Sequence, residues 1–469
     1  MRGIVRALTL VLASAALVTP AAADRFTLAD ALAMAYEHNP ELEAARARVR
    51  GADFSVAEAR GNYRPSIGIT GSYGYNRNNE IGLDKFRFPG GPVQELNPVV
   101  GRATLSQPVL TGGQAYAQVQ RAIALVRSAR ADLLNAEQQI LFAATQAYMD
   151  TVRDAENLRL HRTDVDILMR QREATKTQLD AGAATKTDLQ EVEVRIAGAQ
   201  ADLAQAESQL AQSRDNFERI IGRRPETLEQ SPPLPHLPGT QEQALALALK
   251  LSPRIQGAQA NDKAAQYGID NAVGATLPHA SIQADMTYAK DSLQSPFGVG
   301  NSAQGLPANR ATTFDVLGQI SIPLYQGGSE YARINEAKEQ RSQTRVGVAD
   351  ADQATRQQVK DSWAAFHAAQ SGVAYNQNRV KASEQALDGV IQQQHQGERS
   401  ILDILNAEQE RLSAELAFAG SHHDMIVSGY QLLAASGELT ARQLALKVKI
   451  YDPNEHYNEH SSGWIDFGQ

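Results

Sequence analysis

Apolar residues recur every seven positions in two separate stretches of the chain, from Thr187 to Ile221 and from Leu402 to Ser436. In both stretches a row of smaller residues follows three positions further on. A strict seven-residue period predicts helices that supercoil left-handed around a partner helix, and small side chains let the two backbones approach closely. The apolar rows are Leu189, Ile196, Leu203, Leu210 and Phe217 in the first stretch, and Ile404, Phe418, Met425 and Leu432 in the second, where Arg411 interrupts the row.

A much longer helix is predicted before each of these stretches. No glycine or proline occurs between Gln114 and Ala181, and no proline occurs in the equally long stretch between Ser329 and Gln396. At about 1.5 Å per residue each helix spans roughly 100 Å, which is too long for the core of a compact domain. The long helices must therefore pack sideways on other helices. The glycines that follow them, Gly182 and Gly397, predict turns that fold the next helix back along the long one.

Four shorter stretches alternate between apolar and small or polar residues, which predicts strands with two different faces. Each is about ten residues long, the length of a tilted strand that crosses a membrane. The segments that connect each pair, Asn76 to Pro98 and Ala289 to Ala311, are rich in Gly, Asn, Pro and Ser and predict exposed loops. The predicted strands run from Ser66 to Tyr75, from Val99 to Val109, from Ala280 to Tyr288 and from Thr312 to Ile322.

Two shorter helices are predicted before each pair of strands. Pro65 and Pro278 end the second helix of each pair, because the residue before a proline disfavours the helical conformation. The predicted ranges are Leu28 to Tyr36 and Glu41 to Asn62 in the first half of the chain, and Gln241 to Leu251 and Arg254 to Ala275 in the second half.

The same order of elements therefore occurs twice, at an almost constant spacing. Pro65 returns as Pro278, and Gly182 returns as Gly397 at nearly the same offset in the numbering. A period this long indicates one structural unit used twice, around a pseudo-symmetric axis, rather than a short solenoid repeat. The predicted divisions are a signal peptide (1–23), a first repeat (24–230), a proline-rich linker (231–239), a second repeat (240–440) and a polar tail without a predicted fold (441–469).

The composition limits which cellular compartment the protein reaches and which kinds of chemical site it can form. Arg2 and Arg6, an apolar stretch to Val18 and the small residues before Asp24 predict a secretory signal peptide. The chain has no cysteine, so it has no disulfide, no thiol to lipidate and no cysteine-based metal site or nucleophile. Its formal net charge of −8 argues against nucleic acid as a partner. No run of 18 apolar residues follows the predicted signal.

Taken together, these features resemble the TolC family of outer-membrane efflux proteins. The marks are the two strand-to-helix segments QPVLTGG and IPLYQGG, the two tip segments GAATKTDLQ and GERSILDILNA, and the helix starts at Pro40 and Pro253. The resemblance implies an α+β homotrimer, in which four strands per chain close a 12-stranded transmembrane β-barrel continuous with a 12-helix α-barrel in the periplasm. It also implies a passive exit duct for efflux or type I secretion.

The partners that the resemblance implies are outer-membrane lipid, a periplasmic adaptor (membrane fusion) protein and an inner-membrane ABC or proton-driven transporter. The adaptor would contact the tips at Gly182 and Gly397. The physical chemistry of strands in a bilayer also indicates that several copies of the chain assemble. Four strands in a bilayer leave two open edges, and each unpaired backbone group there costs several kcal/mol.

The resemblance also assigns a constriction to the second tip. Asp403 and Asn406 are three residues apart, hence on one helical face, and three copies would form a ring of each. The family's best-known members carry aspartate at both positions, so Asn406 departs from the pattern. Arg399 is implied as a latch that reaches Thr187 and Asp188 of the first tip. A tyrosine expected three residues before Gly397 is Gln394 here.

Two other functions compete with the duct. A periplasmic coiled-coil scaffold or adaptor without a pore explains the long helices but leaves the four strands unexplained. A secreted enzyme needs a nucleophile with a base, a metal spacing or a phosphate loop, and none stands out, so no catalytic residue, cofactor or metal site is predicted. His422 and His423 are adjacent and do not share a helix face, so they are interpreted as packing or surface residues. A lone aspartate such as Asp403 is, in most helices, a solvated surface residue.

Overall fold

The computed structural model describes residues 26–79, 93–225, 227–290 and 310–464. The predicted signal peptide and the middle of both strand-connecting segments lie outside the described residues. The helices are α1 (Leu28–His38), α2 (Pro40–Gly61), α3 (Gln114–Asp180), α4 (Lys186–Ile221), α5 (Gln241–Leu251), α6 (Pro253–Gly274), α7 (Ser329–His395), α8 (Ile401–Ser436) and α9 (Pro453–His460). The strands are β1 (Ser66–Tyr73), β2 (Asn76–Asn79), β3 (Val93–Leu96), β4 (Val99–Thr111), β5 (His279–Lys290) and β6 (Arg310–Ser321).

The four predicted long strands are confirmed and form one antiparallel sheet in the order β1-β4-β5-β6. Directly paired residues of antiparallel strands point to the same side of the sheet, so the register separates the two faces. Ile69 is 83% exposed and Phe314 is 71% exposed, so the apolar face is uncovered within the chain. A typical row of the apolar face is Ile69, Ala103, Met286 and Phe314, and the neighbouring row of the polar face is Thr70, Arg102, Thr287 and Thr313.

One strand pair was not predicted. The segment from Asn76 to Pro98, expected to be a loop, contains a separate two-stranded hairpin in which Asn76 pairs with Leu96 and Asn79 with Val93. Its sequence lacks an apolar alternation, because β2 is Asn-Arg-Asn-Asn. The hairpin is thus held by backbone pairing, which the hydrophobic pattern does not reveal.

The junction between strand and long helix depends on a proline and two glycines. The pairing of β4 with β5 shifts register between Pro108 and Leu110, as in a β-bulge, and proline is tolerated at such a place because it donates no backbone hydrogen bond. Gly112 and Gly113 have φ of +57° and +84°. A Cβ on Gly112 would lie 2.3 Å from the carbonyl oxygen of Gly274, so only glycine fits where α3 starts beside the end of α6.

The helices pack as the seven-residue pattern predicts. The return helix α4 runs back along α3 and buries the apolar stripe that includes Ile196, Leu210 and Phe217. In the same way α8 runs back along α7, and it also packs on α3. Arg411, the polar break in the second stripe, forms ion pairs with Glu408 at 3.1 Å and Glu415 at 2.6 Å on its own helix. The charge of Arg411 is therefore balanced within its own helix.

The main hydrophobic core lies where α1, α3, α4 and α8 meet. Tyr148 and Phe217 are fully buried there. The Tyr148 hydroxyl donates to the carbonyl oxygen of Phe26 over 2.8 Å and accepts from the backbone N–H of Glu229 over 2.9 Å. Burial raises the pKa of the Tyr148 phenol. The hydroxyl stays protonated and fixes both the start of α1 and the segment after α4 to the core.

No fold was predicted for the polar tail after Ala441, and its described residues pack against the first half of the chain. At the start of the tail, Ala441 is fully buried, and its backbone N–H donates to Glu137 of α3 over 2.7 Å. Burial raises the pKa of the Glu137 carboxyl. Further on, α9 packs against α2, and Arg60 of α2 donates to the carbonyl oxygen of Ser461 over 2.8 Å. The tail thus returns to the first half of the chain.

Among the helices that the structure describes, none combines the length and the apolar character needed to cross a bilayer.

Candidate functional site at the helix tips

Both helical hairpins turn with the same backbone geometry. Gly182, with φ of +74°, follows α3, and Gly397, with φ of +81°, follows α7. The N–H of the residue after each glycine returns to a carbonyl oxygen five positions earlier: Ala183 donates to Gln178 over 2.8 Å and Glu398 donates to Gln393 over 3.0 Å. This is the Schellman ending that favours glycine. The left-handed backbone of these turns is enough to explain both glycines, and no contact with another protein is needed.

Each return helix begins with a reciprocal cap made by a hydroxyl residue and an aspartate. In the first tip, the Thr185 backbone N–H donates to Asp188 Oδ2 over 2.7 Å, and the Asp188 N–H donates to Thr185 Oγ1 over 3.1 Å. In the second tip, the Ser400 N–H donates to Asp403 Oδ2 over 2.9 Å, and the Asp403 N–H donates to Ser400 Oγ over 3.3 Å. Both aspartates therefore stabilise helix starts.

The cap sets the charge state of Asp403. Hydrogen bonds from the Ser400 backbone and hydroxyl, aided by the nearby Arg399 guanidinium, lower the pKa of the Asp403 carboxyl below its ordinary value. The side chain is partly open to solvent. Asp403 is consequently a firmly ionised carboxylate at the end of the second hairpin, which is the charge that the predicted constriction requires.

Arg399 lies against its own tip in the single chain. Its Nε donates to Gln393 Oε1 over 3.2 Å, and its Nη1 lies 3.7 Å from Asp403 Oδ1. Its contact with Thr187 and Asp188, which the resemblance implies, stays a prediction. Gln394, at the position where a tyrosine was expected, contributes its backbone carbonyl to the turn by accepting from Gly397 N–H over 2.9 Å.

Near the tips, a polar link between the two hairpins is made by a residue that the sequence did not single out. Arg195 of α4 donates through Nη2 to Asn406 Oδ1 of α8 over 2.9 Å, and its Nη1 contacts Gln409. Asn406, predicted as part of the constriction, thereby contacts the first hairpin. No sequence motif marks Arg195. Its position in the first third of α4 was the one indication, because it lies beside Asn406 once the two hairpins pack side by side.

An apolar cluster packs next to the hydrogen bond between Arg195 and Asn406. Leu405 of α8 is 2% exposed and packs with Leu168 of α3 and with Val192 and Ile196 of α4. Since Leu405 directly precedes Asn406, the packing fixes the orientation of this part of α8. The two hairpin ends are thus joined by this buried apolar cluster and by the two hydrogen bonds of Arg195.

A charged cluster lies further from the tips, where α8 packs on α3. His423 Nε2 is 3.0 Å from Asp150 Oδ1, and His423 Nδ1 is 2.9 Å from Asp424 Oδ1. Arg153 also contacts Asp150, at 3.0 Å. Burial alone would lower the pKa of His423, but the two aspartates outweigh it and raise the pKa. Burial lowers the pKa of its neighbour His422.

Within the residues that the structure describes, no three His, Cys, Asp or Glu side chains gather as a set that could hold a metal ion. The tip residues offer charges and hydrogen bonds but form no nucleophile with a base. The arrangement holds the two hairpins of one chain together through hydrogen bonds and an apolar cluster.

Comparison with known proteins agrees with this architecture. The family model for outer membrane efflux proteins matches residues 31–223 and 244–438. The chain is 33% identical over 456 residues to the outer membrane efflux protein BepC of Brucella suis biovar 1 (strain 1330), covering 97% of this chain and 95% of that protein. It is 23% identical over 439 residues to the outer membrane protein TolC of Vibrio cholerae serotype O1 (strain ATCC 39315 / El Tor Inaba N16961), covering 89% and 92%.

A solved structure gives the same fold. The Campylobacter jejuni CmeC outer membrane channel matches with a TM-score of 0.76 at 15% identity, over 92% of this chain and 89% of that chain. The chain therefore belongs to the outer membrane efflux protein family, as an exit channel of the outer membrane with the TolC-like fold that its sequence predicts.

Proposed function

We propose that three copies of the chain close into one tube, with a 12-stranded β-barrel in the outer membrane and a 12-helix barrel in the periplasm. The observation that carries this is the four-stranded sheet, whose apolar face is uncovered and whose other face is polar. The apolar face suits lipid and the polar face suits a water-filled lumen. The tube is a passive exit duct for tripartite efflux or type I secretion.

The internal repeat supports closure by neighbouring copies. Within one chain β4 of the first repeat pairs with β5 of the second, and α3 packs on α6. The repeat-equivalent contacts are β6 with β1 and α7 with α2. The hydrogen-bonded order of the sheet places β6 and β1 at its two opposite edges. In a trimer the next subunit supplies the missing partner for each edge.

One residue pair makes this closure specific. Inside the chain, Gln118 of α3 donates through Nε2 to Asn271 Oδ1 of α6 over 3.2 Å. At the offsets that relate the two repeats, the counterpart of Gln118 is Arg333 and the counterpart of Asn271 is Glu58. The neutral pair is thus replaced by opposite charges. Arg333 of one subunit would meet Glu58 of its neighbour.

The tips would form the periplasmic gate of this duct. Three Asp403 carboxylates form one acidic ring and three Asn406 amides form a neutral ring beside it. Arg399 is the latch that reaches Thr187 and Asp188 when subunits meet. The firm ionisation of Asp403 and its shared face with Asn406 support the ring. Adaptor protein binds at the turns of Gly182 and Gly397, and the inner-membrane ABC or proton-driven transporter supplies the energy.

Planar-bilayer recording tests the function directly. Purified trimers from the outer-membrane fraction should give discrete single-channel conductances, whereas a periplasmic scaffold without a pore would give none. Asp403→Asn keeps an acceptor oxygen for the cap but removes the charge, so it should lower cation selectivity and block by multivalent cations. Asp180→Asn, which removes an exposed charge at the end of α3, is the matched control. Unchanged selectivity in Asp403→Asn would remove Asp403 from the ring.

A further inference from the structure

The tail ends in a helix whose two histidines share one face. His456 and His460 are four residues apart in α9, their ring centroids lie 4.4 Å apart, and their planes are tilted by 42°. Both rings contact Phe54 of α2, with centroids 5.2 Å and 5.3 Å from its ring. The side chains are 18% and 26% exposed, so both remain within reach of solvent.

A buried carboxylate fixes the proton of one of these rings. Asp53 of α2 is fully buried, and its Oδ2 lies 2.9 Å from His456 Nδ1. An ionised carboxylate only accepts hydrogen bonds, so Nδ1 donates the proton. The Nε2 atom of the neutral ring then carries a lone pair. The other oxygen, Asp53 Oδ1, has no hydrogen-bond partner among the described residues.

This is the arrangement that orients a metal-binding histidine: one ring nitrogen is held by a carboxylate while the other faces the ion. With metal–nitrogen distances of about 2.0–2.1 Å, two imidazole nitrogens on one ion lie roughly 3 Å apart. Side chains at positions i and i+4 of a helix are neighbours. The separation of the His456 and His460 rings is therefore compatible with a shared ion.

We propose that His456 and His460 bind one divalent transition-metal ion of the zinc, copper or nickel class, with Asp53 as the residue that positions His456. Imidazole nitrogen suits these metals. The described residues supply no third strong ligand, so water completes the coordination. Glu459, whose Oε2 lies 3.9 Å from His460 Nε2, adds negative charge beside the ion.

The bound ion would fasten the tail to the first half of the chain. Helix α9 has only eight residues, and an isolated helix of this length is unstable in water. A metal that joins His456 to His460 restrains one helical turn, and the hydrogen bond from His456 to Asp53 carries that restraint to α2. The ion also places positive charge near a buried carboxylate.

Calorimetric titration tests the site. Zinc chloride is titrated into detergent-purified, tag-free full-length protein, and the expected result is one saturable Zn²⁺ site per chain. His460→Asn and His456→Asn should each weaken binding at least tenfold. Asp53→Asn should weaken it roughly 10–100-fold, the usual effect of losing such a carboxylate. His395→Asn, at the end of α7, is the matched control and should bind as the wild type does.

A second readout follows the tail itself. Zn²⁺ should slow tryptic cleavage after Lys447 and Lys449 in the wild type and in His395→Asn, but not in His460→Asn. Because the hydrogen bond to Asp53 comes from His456, the His460 variant tests the ligand even where His456→Asn loosens the tail. Wild-type Zn²⁺ affinity in His460→Asn, or no saturable Zn²⁺ binding by the wild type, would overturn the proposal.

Discussion

Arg195 of α4 and Asn406 of α8 are joined by a hydrogen bond of 2.9 Å, which links the two helical hairpins of one chain near their tips. The side-chain oxygen of Asn406 is therefore engaged by the first hairpin. The resemblance to the TolC family placed Asn406 in a ring at the constriction. The geometry adds a second task for this residue, because any movement of one hairpin away from the other must break its contact with Arg195.

Replacing Arg195 should loosen the tip. Arg195→Ala removes the donor to Asn406 and to Gln409, a loss of about 0.5–1.5 kcal/mol per hydrogen bond. We expect a larger mean single-channel conductance in planar bilayers. Arg379→Ala, which removes the ion pair to Glu410 within the second hairpin, is the control and should leave conductance unchanged. Equal conductance in the wild type and Arg195→Ala would show that this link does not restrain the tips.

Arg399 provides a separate test of the latch. In the single chain it contacts only its own tip, through Gln393 and Asp403, among the contacts that the structure describes. If it reaches Thr187 and Asp188 in the assembled duct, Arg399→Ala should raise conductance. Asp188→Ala should have a similar effect, and the double variant should add little to either. Strictly additive effects would argue against a direct contact between Arg399 and Asp188.

The proposed subunit contact between Arg333 and Glu58 is open to charge reversal. Arg333→Glu places like charges together and should weaken the detergent-extracted trimer. Glu58→Arg alone should act in the same direction, by about 0.2–1 kcal/mol per interface for an exposed pair. The double exchange should restore the heat stability of the trimer on gels. The absence of native cysteine adds a clean check, since Glu58→Cys with Arg333→Cys should crosslink between subunits and neither single variant should.

The two adjacent histidines of α8 should respond to pH in opposite directions. The raised pKa of His423 means that its stabilisation is fully present below the ordinary value of about 6.5 and is lost as pH rises through the folded-state pKa. His423→Gln should therefore cost most stability at pH 6 and least at pH 9. His422 has a lowered pKa, so His422→Gln should gain relative stability as pH falls. Thermal melting across this range measures both, and parallel pH profiles would contradict the assignment.

The strand-to-helix junction should not tolerate a side chain at Gly112. Gly112→Ala combines a left-handed backbone, which costs about 1–3 kcal/mol for other residues, with a Cβ placed 2.3 Å from the Gly274 carbonyl oxygen. The expected result is a lower melting temperature of the assembled protein. Gly389→Ala, in open space within α7, is the control and should be neutral or stabilising. An unchanged melting temperature in Gly112→Ala would mean that the junction relaxes freely.

The regular elements were predictable because their patterns are local. The bounds of α5 agree with the prediction, and those of α4 and α8 differ from it by one residue at the start. The tail was not predictable, because its polar residues are fixed by Glu137, Arg60 and Asp53, which lie far earlier in the sequence. Arg195 was not predictable for the same reason. Its partner Asn406 lies 211 positions away, and nothing in its own segment marks it.

The tail also determines how many equivalent binding sites the assembled trimer presents. The tail is hydrogen-bonded to the first repeat by Arg60 and Arg64. Their counterparts in the second repeat are Val273 and Leu277. Asp53 likewise corresponds to Gln266, which has no charge. Among the described residues, the side chains that hold α9 therefore occur once per chain, although the helices that carry them have counterparts in both repeats. A trimer would therefore carry three faces covered by α9, so a ligand that binds at this contact would find three sites and not six.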